Sequence, residues 1–275
     1  MRPLNQQTIL ITGATDGLGR ALAAELAAAG ATVLVHGRDE ARGRATVTEL
    51  CNASGHDGVH WLRADLASLL QVRGLADQLI SEYGELHTLV NNAGIGTTLP
   101  GDGQRVESED GYELRFAVNY LAGYLLSRLL LAELKCSAPS RIVNVSSAGQ
   151  TPLDFDDVML ERDYNPVQAY CQSKLAQVML TFDLAAELDP SEVTANCLHP
   201  GTFMPTKMVR AAGVTPVTPL QRGLEATLRL VADPELDGVS GRYFDGLQEA
   251  EPHPQARDPQ ARLRLRELSD QLCRL

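Results

Sequence analysis

Short apolar runs alternate along this chain with longer stretches whose apolar positions recur at helical spacing. Thr8-Ile9-Leu10-Ile11 reads as a buried strand and is followed by a helix over 18–29 that Gly30 stops. Strand-like runs follow at 32–35, 59–63, 87–90, 141–145 and 193–198, and 241–244 adds a seventh at one edge. Helical patterns fall between them at 40–51, 69–83 and, as one long apolar helix, 112–134; another carries Tyr170 and runs toward Leu188. Strands that read as continuous β-branched or leucine-rich runs, each separated by a helix, imply a parallel sheet covered on both faces. With right-handed crossovers this is an α/β, doubly wound fold: a mostly parallel, seven-stranded sheet with helices on both sides. Two segments are irregular, 101–110, rich in glycine and acids, and 204–219, rich in proline and threonine. No repeat, linker or boundary divides residues 1–275, so a single domain is expected. A loop at about 202–220 and a polar, arginine-rich tail at about 252–275, helical near 260–272, complete it.

Composition narrows the function classes. The 275 residues are 44% hydrophobic and 21% charged, as expected of a protein with a full core. The net charge of −11 argues against a nucleic-acid surface and against an anionic membrane, so any phosphate must be held by local features. No apolar run reaches the roughly 18 residues of a bilayer span. Met1 to Gln7 leads straight into a strand without a secretory pattern. The five cysteines (Cys51, Cys136, Cys171, Cys197, Cys273) are scattered and form no CxxC or Cys/His cluster, so no metal is expected and reduced thiols in a cytoplasm are the simple reading. His36, His60 and His199 flank strand-like runs and read as structural.

Two local patterns point to chemistry. The first strand runs into Thr12-Gly13-Ala14-Thr15-Asp16-Gly17-Leu18-Gly19. Its glycines permit a tight turn and close approach of backbone to a ligand, and the following helix aims free N–H groups and its positive dipole end at the turn. This suits a pyrophosphate; a ligand-free glycine turn is the alternative. Farther on, Tyr170 and Lys174 stand four residues apart on one helix face. A phenol ordinarily titrates near ~10, and a neighbouring cation favours the phenolate, so the pair suits proton transfer near neutral pH; such pairs are also common as plain surface neighbours.

The glycine spacing, G-x-x-x-G-x-G, makes a resemblance specific. The chain resembles the short-chain dehydrogenase/reductase family over nearly its whole length, with seven motifs in order. After the glycine turn come Asp65-Leu66, Asn91-Asn92-Ala93-Gly94, Asn119, Ser146-Ser147, Tyr170 with Lys174, and Pro200-Gly201. The resemblance implies a Rossmann-type dinucleotide-binding fold and a catalytic group of Asn119, Ser147, Tyr170 and Lys174. In it Ser147, favoured over Ser146, holds the substrate oxygen and Tyr170 donates or removes its proton. Lys174 lowers the phenol's pKa and holds the nicotinamide ribose, and Asn119 anchors a water that relays the proton. Gly13, Thr15, Asp16, Gly17, Leu18 and Gly19 are assigned to the cofactor by the same resemblance, as are Asp65, which accepts from the adenine amino group, Leu66, Asn92, Ala93, Gly94, Tyr170, Lys174, Pro200, Gly201 and Thr202. Thr206 competes with Thr202 for the nicotinamide carboxamide. Arg38 stands where members of the family that use NADP carry arginine, and no acid directly follows Val35, so NADP(H) is expected over NAD(H); Asp16 and Asp39 count the other way, and a solvated Arg38 is the bland alternative.

Ser147 and Tyr170 enclose an insert, Asp154-Phe155-Asp156-Asp157-Val158 onward to Tyr164-Asn165-Pro166, that resembles the retinol dehydrogenase and protochlorophyllide reductase branch. That branch implies an alcohol or carbonyl substrate of apolar character. Leu153, Met204, Met208 and Val209 are candidates for an apolar wall or for ordinary packing. The resemblance also implies dimers or tetramers paired through the Asn119 and Tyr170 helices, an assembly that the insert and tail would alter or block. A non-catalytic NADP(H)-binding regulator is the alternative function, disfavoured because all four catalytic positions are filled.

Overall fold

The computed structural model describes residues 1–98 and 100–275. Its sheet is built from β1 (Thr8–Ile11), β2 (Thr32–Gly37), β3 (Val59–Arg63), β4 (Thr88–Asn91), β5 (Ser140–Val145), β6 (Val193–His199), β7 (Tyr243–Asp245) and β8 (Gln248–Glu249), in the order β3-β2-β1-β4-β5-β6-β7-β8. Every pairing is parallel except β7 with β8. The eighth strand corrects the expected seven: Gly246, at φ +57, turns the chain back so that Asp245 pairs with Gln248. Two polar residues carry no apolar run that sequence reading can detect.

Side chains alternate across the sheet and sort the core into two layers. Leu10, Leu34, Leu89 and Ile142 point to one face, and Ile9, Ile11, Val33, Val35, Val90 and Val143 to the other. The first face is covered by α3 (Leu69–Glu82), α4 (Ala122–Leu129), α6 (Pro166–Glu187) and α9 (Pro259–Cys273). The second is covered by α1 (Gly17–Ala28), α2 (Glu40–Ser54) and α8 (Leu220–Ala232). Strand order reverses between β1 and β4, where Ile11 pairs with Val90. In such sheets the crevice for a ligand opens beyond the carboxyl ends of the strands at this switch point.

The apolar stretch at 112–134 is not one helix. A π-helical turn (Phe116–Leu121) leads into α4, and Leu130 separates α4 from α5 (Leu131–Cys136). The apolar pattern runs unbroken through these changes, which is why the sequence reads as uniform. Wide turns of this kind are rare and recur at functional sites; this one holds Asn119.

The tail is also more than a surface helix. Ala261, Leu265, Ser269 and Cys273 of α9 are buried. Tyr120 shares a 2.7 Å hydrogen bond with Ser269, Tyr124 donates to Asp270, and Tyr112 donates to Leu272 O at 3.0 Å. If α9 belongs to the core, Leu265→Ala costs about 2–5 kcal/mol in urea unfolding, whereas Leu70→Ala, at a side chain 78% exposed, stays within about 0.5 kcal/mol. Equal, small losses in the two variants would return the tail to the surface.

Candidate active site

The glycine turn is held against the sheet from three sides. Thr12 continues β1 by donating its N–H to Val90 O, and its hydroxyl accepts from the N–H groups of Asn92 and Ala93, each at 3.0 Å. The Asn92 amide donates to Thr12 O at 2.8 Å and Gly13 O at 3.2 Å. From β2, His36 Nδ1 accepts from Gly13 N at 3.2 Å, and its Nε2–H therefore donates to Ala64 O at 3.2 Å. Burial pulls the His36 pKa down to about 4, which keeps the ring neutral and able to accept. Two glycines are required here by contact. A Cβ on Gly13, at φ +64, would lie 2.9 Å from Ala93 Cα, and one on Gly19 would lie 2.4 Å from the Asn92 amide nitrogen.

α1 begins at Gly17 beside this turn, with Asp16 accepting from Gly17 N at 2.7 Å. Leu18 is buried beneath it. The Thr15 methyl lies against Gly37 at the end of β2. Arg38 follows, 71% exposed, its guanidinium 3.8 Å from Asp65. Asp39 is committed elsewhere: its carboxylate caps α2 by accepting from Arg42 N at 3.0 Å. Asp65 also accepts from Ala67 N, and Leu66 is buried beside Ala93 and Asn119 around a small internal cavity. A turn of bare backbone, a helix N-terminus and an exposed guanidinium thus stand together at the carboxyl ends of β1 and β2, and these groups fit a phosphorylated dinucleotide.

Across the switch point the catalytic candidates converge. Asn119 Oδ1 accepts from Ile95 N at 2.8 Å, and its amide donates to Ile95 O and to Ser173 Oγ. Asn119 Oδ1 and Lys174 Nζ lie 3.3 and 3.4 Å from the point where a Gly94 Cβ would stand. Ser147 Oγ and Tyr170 Cε1 lie 3.5 and 3.9 Å from the equivalent point at Gly149. Lys174 Nζ is 5.9 Å from the centre of the Tyr170 ring. α6 is set in place by its cap, Asn165 accepting from Val167 N and Gln168 N ahead of Pro166 at the first turn. The two serines after β5 face apart: Ser146 donates to Lys174 O at 2.7 Å, whereas Ser147 Oγ accepts from Gly149 N beside Tyr170. Against the expected lowering by Lys174, burial pushes the Tyr170 phenol up, and the nearby Ser147 hydroxyl acts in the opposite direction. Burial alone pulls the Lys174 amine down to about 7.

After β6, Pro200 and Gly201 open a loop in which Gly201 packs on Thr218. Thr202 Oγ1 pairs with His199 Nε2 at 3.1 Å, while Thr206, the cap of α7 (Lys207–Ala211), reaches the glycine turn, its methyl 3.2 Å from the Gly17 Cβ position. Of the two threonines, Thr206 is the one that packs against Gly17. Met208 lies over Gly96. Leu153 and Met204 are core residues, Met204 filling the space beside Gly223, so of the four apolar candidates only Met208 and Val209 stand on α7. Sequence reading missed Gln177, whose Oε1 accepts from Lys174 Nζ at 2.8 Å; its place three residues after Lys174, on the same helix face, was the available signal. A wider open groove of about 540 Å³ lies at the sheet edge between Arg229 and Arg242, but those side chains are paired with Asp233 and Glu249, and none of the groups above lines it.

The family profile for short chain dehydrogenases matches residues 7–215. Human retinol dehydrogenase 13 is 38% identical over 277 residues, covering 94% of this chain and 82% of that protein. Mouse polyprenol dehydrogenase is 38% identical over 282 residues, covering 96% and 82%. Among solved structures, a short chain dehydrogenase from Shigella flexneri complexed with NADP superposes with a TM-score of 0.70 at 27% identity, covering 89% of this chain and 98% of that one. The chain belongs to the short chain dehydrogenase family of oxidoreductases, in its retinol dehydrogenase-like branch.

His36 gives the glycine turn a pH signature. The folded state keeps the ring neutral to about pH 4, while the unfolded chain protonates it near 6.5. Its contribution is therefore complete above pH ~6.5 and is lost as pH falls toward ~4, by about 3 kcal/mol. Urea unfolding across this range should show wild type losing about 3 kcal/mol more than His36→Gln; parallel declines would contradict the assignment.

Proposed function

We propose that this chain is an NADP(H)-dependent oxidoreductase that interconverts an alcohol and a carbonyl on an apolar substrate, with Tyr170 as the acid/base. The observation that carries this reading is the meeting of Ser147, Tyr170 and Lys174 at the carboxyl ends of β4 and β5, one strand from the glycine turn. Ser147 Oγ, set beside Tyr170, holds the substrate oxygen. Tyr170 donates its proton to that oxygen in reduction and takes it back in oxidation. Lys174 holds the ribose hydroxyls of the cofactor and supplies positive charge next to the phenol, and Asn119 fixes the Ile95 segment and serves the proton relay. Hydride transfer is the chemistry the bound nicotinamide supplies; the protein contributes orientation and charge placement.

Cofactor choice rests on Arg38. Its guanidinium is exposed at the end of β2, and the neighbouring acid, Asp39, is spent on capping α2. A planar cation there suits a 2′-phosphate, and the Shigella relative is complexed with NADP. Gly13, Thr15, Asp16, Gly17, Leu18, Gly19, Asp65, Leu66, Asn92, Ala93, Gly94, Pro200, Gly201 and Thr202, with Thr206 beside the turn, complete the cofactor site we infer. The apolar character of the substrate is supported by Met208 and Val209 on α7 and by the retinol and polyprenol named for two relatives. Five free cysteines suit a reducing cytoplasm.

Ser147→Ala should lower kcat by about a hundredfold or more, and Ser146→Ala, which removes only a bond to the α6 backbone, far less. The reverse order would exchange the two serines. The ratio of kcat/KM for NADPH over NADH should exceed one and shrink in Arg38→Ala; a preference for NADH would reject the role given to Arg38.

A further inference from the structure

We propose that Gln177 is a positioning residue for Lys174, fixing the direction of its one free N–H and setting the balance between its ammonium and amine forms. The inference rests on the reading of Lys174 as part of the proton-transfer group. Lys174 Nζ donates to two acceptors, Val145 O at the end of β5 at 2.9 Å and Gln177 Oε1 at 2.8 Å. An ammonium has three N–H bonds. With two directed into the protein, one tetrahedral position is left: it holds an N–H in the ammonium and the lone pair in the amine. Proton exchange with the reacting centre runs through that position in either direction, with no change in the other two bonds.

Val145 O is backbone and belongs to the sheet, so the adjustable half of this clamp is Gln177. It is 2% exposed and its backbone is tied inward. Gln177 O accepts from Thr181 Oγ1, Thr181 Oγ1 accepts from the Asn144 amide, and Asn144 Oδ1 accepts from the Asn91 amide, each at 2.8 Å. The chain of bonds ends on β4, so the position of the Gln177 turn is set by the centre of the sheet.

The electrostatic surroundings make this one acceptor weigh heavily. On its own helix the titratable group facing Lys174 is Tyr170. From β6, His199 faces it and is itself influenced by Asp245 on β7. The π-helical turn presents the neutral Asn119, and the Gly94 loop presents no charge. Burial is the sole cause that lowers the Lys174 pKa, and among the described residues no carboxylate opposes it. The Val145 and Gln177 oxygens are the acceptors placed to favour the ammonium.

The test follows the Lys174 amine directly by NMR titration in the protein without cofactor or substrate, and separately by the pH dependence of kcat. Gln177→Leu removes the acceptor and should lower the Lys174 pKa by about one pH unit. Gln177→Glu keeps the shape, adds a carboxylate and should raise it by about one unit or more. The limb of the kcat profile should move with each. Near pH 7, kcat of Gln177→Leu should fall about fivefold with the substrate KM within about twofold. A merely structural role would not move the titration in opposite directions in the two variants. If the amine titrates unchanged in both, or moves the same way in both, the proposal is overturned while the enzyme reading stands. If the amine shifts as expected but the kcat limb stays in place, the proposed link from Gln177 to the reaction is overturned together with the role given to Lys174.

Discussion

A lysine amine lies almost wholly out of water where β5, α6 and the loop after β4 meet, with hydrogen-bond acceptors around it and, among the described residues, no carboxylate that shifts it. Burying an ammonium is unfavourable unless its hydrogens are satisfied. That single constraint explains much of the local architecture. β5 must end so that Val145 O faces α6, and α6 must be registered against the strand, which the Ser146 bond to Lys174 O does. The cap at Asn165 fixes where the helix begins, and the π-helical turn brings the Asn119 amide to Ser173 Oγ, which in turn bonds Tyr170 O. The result is an amine poised between its charged and neutral forms near pH 7, on the same helix face as a phenol.

The other half of the cleft obeys a packing constraint. The glycine turn is pressed so closely on Ala93 and Asn92 that side chains at Gly13 and Gly19 have no room, and His36 completes the contact from the opposite strand. Because β1 and β4 adjoin at the reversal of strand order, the turn and the Tyr170 end of α6 stand at the same end of the sheet, at the carboxyl ends of its strands. A bound dinucleotide would have its phosphates near the turn and its reactive end near Tyr170, which joins two separately stabilised structures into one function.

Much of this was legible in the sequence for physical reasons. Strands buried on both faces announce themselves as apolar runs, as β1, β2 and β4 do, and β3, β5 and β6 were legible although polar residues interrupt them. The glycine turn and the Tyr170–Lys174 pair depend on spacing within a few residues, which sequence displays directly. What escaped detection depended on contacts distant in sequence or on patterns without contrast. β8 is two polar residues paired only because Gly246 turns the chain. The π-helical turn hides within an unbroken apolar stretch. α9 looked like a polar surface helix because part of its attachment is through Ser269 and Asp270 meeting tyrosine hydroxyls from more than a hundred residues away. His36 carried no mark of its bond to Gly13, and Thr206 reaches the turn through the fold of the loop.

In the proposed reaction the Tyr170 hydroxyl moves the proton that accompanies hydride transfer. Turnover of a panel of apolar alcohols and carbonyls with NADP and NADPH, run side by side for wild type and Tyr170→Phe, tests it most directly. Wild type should be active and the phenylalanine variant should lose at least about a hundredfold in kcat, with NADPH still bound. Undiminished turnover in Tyr170→Phe would contradict it.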